Sequence, residues 1–181
     1  MKDDTLTRLM AALPAHSALA GIRAYILKEG MEGNLDAATA AFHQLWNCEG
    51  NEGTKAELAE FLVARYAYRG QLEMARNIYA LLVSLGTRED VLQARAAALH
   101  ILACMLMEVR LHVAVTIWME YIQLPISPNY KKPAAKTGHT LLVQALKNSD
   151  TRLSVLVSTS LRALAQETGD AGIAKQAQHL S

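Results

Sequence analysis

Cysteine and proline are scarce in this chain, and neither sign of charge dominates. Two cysteines, Cys48 and Cys104, cannot build a disulfide framework, and no CxxC pair is present to suggest a redox or zinc motif. Two free thiols fit a reducing compartment. Eighteen Lys and Arg stand against seventeen Asp and Glu, a formal charge of +1. This lacks the basic excess expected of a general nucleic-acid binder. No long hydrophobic run occurs either. The most apolar segment, residues 96–107, is interrupted by His100 and falls short of the roughly 20 residues a membrane span needs, so it reads as a buried helix. The N-terminus carries Asp3 and Asp4 where a secretory signal requires a basic start and an apolar stretch. A cytoplasmic location is the expectation.

Four prolines among 181 residues leave long stretches rich in Ala and Leu, which favour helix. With 51% hydrophobic and 19% charged residues, the composition is neither disordered nor coiled-coil. The length suits one domain with a sizeable core.

Internal similarity is the informative signal. Leu35, Ala38 and Phe42 recur as Leu72, Ala75 and Tyr79, and again as Leu111, Ala114 and Trp118. The alanines are 37 and 39 residues apart. Spacings of i, i+3 and i+7 place each trio on one helical face, with a small residue that admits a neighbouring helix and an aromatic that fills the space beyond. A second helix precedes each trio. Thr54 and Glu57 match a capping box that would open the helix carrying Leu58, Leu62 and Tyr66 and running to Arg69. Gly33, Gly70 and Gly86 mark turns or helix ends, and Val109 stands at the third turn. Helices are also expected over residues 1–13 and, after Gly86, through Glu108. Pro125, Pro128 and Pro133 predict a connection that is not helical throughout.

The pattern Tyr66, Gly70, Leu72, Ala75 and Tyr79, with Gly33, Leu35, Ala38 and Phe42 before it, resembles the tetratricopeptide repeat family. The likeness covers about residues 16–124. It departs at Val109, where a turn glycine is expected, and in unit lengths above the usual ~34 residues. The resemblance implies an all-α fold, a right-handed superhelix of helix hairpins, forming one domain over residues 1–181. Its units span about 16–50, 53–86 and 88–124, followed by a degenerate hairpin at 133–166 and a capping helix at 170–180.

In that family the first helices of successive hairpins line a concave binding surface. Carried onto this chain, those positions are Arg23, Leu27 and Met31; then Glu57, Glu60, Ala64 and Tyr68; then Leu99, Ala103, Leu106 and Met107. The set is mainly apolar, and the Lys/Asn clamp that some members use for a terminal carboxylate is missing. It implies a partner protein or peptide segment of apolar or amphipathic character. The competing reading is that Leu99, Leu106 and Met107 pack internally, since the helix from Glu89 to Glu108 is apolar on most sides.

Catalysis finds little support. His16, His43, His100, His112, His139 and His179 include no pair three or four apart, and no HExxH or Cys/His cluster is evident. Cys48 lies near His43, but no third group orients such a pair. Gly30 to Gly33 lacks the lysine of a phosphate loop and reads as a helix end followed by a helix start. Lys131 and Lys132 are a single basic pair. No catalytic residue, cofactor or metal is expected. The expectation is therefore a non-enzymatic scaffold or adaptor. A secretion-system-type chaperone for hydrophobic cargo and an RNA-binding helical-repeat protein are the alternatives, and homo-oligomerisation stays open.

Overall fold

The computed structural model describes residues 15–170 and 172. Among them every regular element is helical. The elements are α1 (Ala15–Glu32), α2 (Leu35–Trp46), α3 (Glu52–Tyr68), α4 (Leu72–Ser84), α5 (Glu89–Leu106), α6 (Leu111–Gln123), α7 (Pro128–Lys147) and α8 (Thr151–Thr168). The helices expected over residues 1–13 and 170–180 lie outside the described residues, apart from Asp170 and Gly172. The chain divides into two compact units, Met1–Ala94 and Arg95–Ser181, the division falling inside α5.

In the first unit α1 pairs with α2 and α3 with α4, while α3 also packs on α1 and α2. The hairpin turns use Gly33 at φ +91° and Gly70 at φ +73°, left-handed conformations that a side chain would oppose. Ala38 and Ala75 are fully buried, as the Leu–Ala–aromatic spacing predicts for close helix contacts. Phe42, Leu58, Leu62, Tyr66, Ile78 and Leu82 form the surrounding core. A buried hydroxyl pair joins two of these helices. Tyr66 Oη lies 2.7 Å from Thr39 Oγ1 and within 3.3 Å of the Leu35 carbonyl, tying α3 to α2.

The expected capping box is corrected. Helix α3 opens at Glu52, two residues before Thr54, after Asn51 in the left-handed region. The Lys55 amide already donates to the Asn51 carbonyl, so Thr54 lies within the first turn. Asn tolerates that backbone conformation better than most residues, which allows the earlier start. Glu57 is then free of a capping role, and its carboxylate goes elsewhere.

In the second unit α6, α7 and α8 pack on one another around Trp118. The indole is buried, and Nε1 donates to the Ala134 carbonyl at 2.7 Å. Beneath the ring lies Gly138, where an added Cβ would run into Trp118 and Leu161. A glycine in a helix interior is disfavoured by about 1 kcal/mol relative to Ala, and here the space it vacates is what the indole occupies. Ala114, which stands between Leu111 and Trp118 in the Leu–Ala–aromatic spacing, is fully buried.

Proline placement also corrects the sequence reading. The non-helical connection is confined to Leu124–Ser127, and both Pro128 and Pro133 belong to α7. Pro128 stands in the first turn, where its missing N–H has no helical acceptor. Pro133 forfeits only a bond to the carbonyl of Asn129, an exposed residue at the helix start. Further along, Asp150 caps α8 by accepting from the Leu153 amide at 3.0 Å.

Candidate interaction surface

Cross-helix bonds fix how α1 and α3 lie in the first unit. Arg23 pairs with Glu57, Arg65 donates to the carbonyls of Gly30 and Met31, and Arg69 donates to that of Gly33. Partners advance together along both chains, so the helices run parallel. Their C-terminal ends coincide. The two arginines thus satisfy carbonyls that the end of α1 leaves without intrahelical donors. Gly30 permits the close approach, since a Cβ there would come within 2.5 Å of the Phe61 ring.

On this framework Arg23, Leu27 and Met31 project from α1 at four-residue spacing, and Glu57, Glu60, Ala64 and Tyr68 from α3. Met31 is 68% exposed and Tyr68 65% exposed. Leu27, Glu60 and Ala64 are half-buried. Arg23 Nε lies 3.0 Å from Glu57 Oε2, and its other nitrogen bonds the second oxygen, a two-pronged pair at the surface. That bonding, with the charge of Glu57, raises the Arg23 pKa.

The remaining expected positions behave differently. Leu99, Ala103 and Leu106 on α5 are 1%, 0% and 2% exposed. They are packing residues and offer no surface, as a helix apolar on most sides allows. Met107 is half-buried in the turn after α5.

Comparison with family models, curated proteins and solved structures finds no match to this chain. Function must be read from its own side chains.

Glu60 is the unusual group of the surface. Its carboxylate meets no hydrogen-bond or ion-pair partner among the described residues. Burial raises its pKa first, and the neighbouring charge of Glu57 raises it further. A carboxylate with a raised folded-state pKa destabilises the fold once ionised. The penalty is absent below the unfolded pKa and fully present above the folded one. Glu60→Gln is therefore expected to melt higher than the wild type near about pH 7, with the gap closing as the pH falls to about 4. Equal melting temperatures at both values would contradict the desolvated carboxylate.

A second cluster escapes a search for histidine pairs. His100 and Cys104 are four apart on α5, and both approach Thr137 of α7: Nδ1 at 3.0 Å and Sγ at 3.8 Å from Oγ1. Burial, with the charge of Lys136, lowers the His100 pKa and favours the neutral ring. Thr137 can then donate to Nδ1 and accept from the thiol, satisfying all three groups. Tyr121 packs edge-on against His100 and donates to the Tyr130 carbonyl at 2.7 Å, while burial pushes its pKa up to about 12. This is a part-buried polar cluster between α5 and α7 whose Nδ1, thiol and hydroxyl partner one another. Cys48 bonds the Gln44 carbonyl and His43 is exposed. Among the described residues no group of three or more His, Cys, Asp or Glu could hold a metal ion. In the second unit Val155 and Leu146, both exposed, border a shallow hollow of about 360 Å³ that Ser154, Ser158 and Arg162 also line.

Proposed function

We propose that this chain is a non-enzymatic protein-binding scaffold or adaptor of tetratricopeptide-like hairpins, with the α1–α3 face of its first unit as the surface that receives a partner segment. The observation that carries this reading is the exposure of Met31 and Tyr68 at the coincident ends of two parallel helices. Large apolar side chains left open next to a firmly tied framework favour an interaction site, since ordering the partner is then the main entropic cost. Methionine adapts to varied partners and tyrosine supplies rigid contact area.

A secretion-system-type chaperone would use the same face to cover a hydrophobic segment of cargo. RNA binding is disfavoured because Glu57 and Glu60 put two carboxylates where a phosphate backbone would lie. No helix among the described residues is long and apolar enough to cross a membrane. The proposed setting is the cytoplasm.

The test is the double variant Met31→Asp, Tyr68→Asp, compared with the wild type as bait in extract from the native host. Both positions are exposed, so the cost is confined to two negative charges at helix C-terminal ends, about 1–2 kcal/mol, and a cooperative melt should persist. At least one protein retained by the wild type should be lost from the variant by about tenfold or more, the consequence of removing two central anchors. Identical retained proteins from both baits would sink the reading.

A further inference from the structure

Resting on the docking surface just described, we propose that its occupant is an amphipathic helical segment of a partner protein that presents one basic side chain, preferably arginine, to Glu60, with a bulky apolar residue about two turns away over Tyr68. Charge complementarity carries the argument. The arginines of α1 and α3 are already committed: Arg23 to Glu57, Arg65 to the carbonyls of Gly30 and Met31. Arg69, just beyond α3, is held by the Gly33 carbonyl, and Lys55 reaches back to that of Cys48. Lys28, on the exposed side of α1, forms no ion pair with Glu60. The arginines of this face and Lys55 are thus tied to partners, exposed Lys28 stays in water, and among the described residues Glu60 is left half-buried without a counter-charge.

An unpaired, partly desolvated carboxylate destabilises the isolated protein, and its raised pKa reports the same burden. A cation brought by a partner would relieve it. Ala64, one turn on, is small enough to leave room beside the carboxylate. Glu60 and Tyr68 are eight residues apart on α3, about 12 Å along the axis. A helical partner laid along α3 would match them with a basic and an apolar residue seven or eight positions apart. Arginine suits the site better than lysine because its planar fork can engage both carboxylate oxygens.

The experiment is selection of displayed helical peptides on the full chain, in wild type, Glu60→Gln and the Met31→Asp, Tyr68→Asp double variant. The wild type is expected to enrich peptides with Arg or Lys two turns from Leu or Phe. One such peptide should bind about tenfold more tightly than its Arg→Gln version, the size of a charge-assisted contact, and Glu60→Gln should lose that discrimination while still holding the neutral version. Equal binding of the Arg and Gln peptides by the wild type, or discrimination that survives in Glu60→Gln, overturns the cation. Selected peptides that bind the double variant as well as the wild type, or a wild type that retains no peptide, overturn the docking surface itself. Self-association of the wild type that Glu60→Gln abolishes would name a second copy of the chain as the occupant and overturn the proposal of a separate partner.

Discussion

Trp118→Ala is expected to destabilise the second unit by about 3–5 kcal/mol, the usual range for removing a buried indole. The ring is fully buried, and two features make collapse into the vacated space difficult. Gly138 lies directly beneath it and has no side chain to move in. The Ala134 carbonyl would lose its 2.7 Å bond from Nε1, which leaves a buried acceptor without that donor. Trp118→Phe should recover part of the volume but not the hydrogen bond and fall between the two. Urea unfolding followed by circular dichroism provides the measurement, with the midpoint falling in the order wild type, Phe, Ala. A midpoint unmoved by Trp118→Ala would show that the α6–α7–α8 core is not organised around this residue.

The same tryptophan shows why the buried faces of the helices are legible in the sequence. Leu111, Ala114 and Trp118 need only helical periodicity to fall on one face, and periodicity is local information. Ala38, Ala75 and Ala114 are buried for that reason. Other features depend on what local patterns do not carry. Thr54 and Glu57 have the spacing of a capping box, but Asn51 accepts a left-handed conformation and starts α3 earlier. Pro133 reads as a helix breaker, yet the bond it forfeits belongs to an exposed first-turn carbonyl. In both places the local rule is sound and the surroundings decide against it.

The candidate surface was legible in halves. On α1 and α3 polar and apolar residues alternate at helical spacing, so a face can be assigned from the sequence. On α5 apolar residues surround the helix, and periodicity cannot tell a groove from a core. The i, i+3 pair of carboxylates at Glu57 and Glu60 is visible in the sequence, but not that Arg23 neutralises only the first. His100 and Cys104 are likewise visible at i, i+4, whereas Thr137, which joins them, comes from another helix.

That ambiguity on α5 underlies the other large expected effect. Leu99→Asp should abolish the cooperative thermal melt, whereas Tyr68→Asp should leave it close to native. Leu99 is 1% exposed, so an aspartate there must bury an uncompensated charge or force the helix from its place. The penalty after relaxation is several kcal/mol, against a total stability of about 5–15 kcal/mol for a typical protein. Tyr68 is 65% exposed, and an aspartate at that position stays in water. Its cost is limited to the ring's surface contacts and to a negative charge placed at the C-terminal end of α3, together about 1 kcal/mol. Circular dichroism melts of the two single variants side by side supply the test. A native melt for Leu99→Asp would return Leu99 to an open surface of the second unit. A collapsed melt for Tyr68→Asp would remove the ring from the proposed site and make it part of the core.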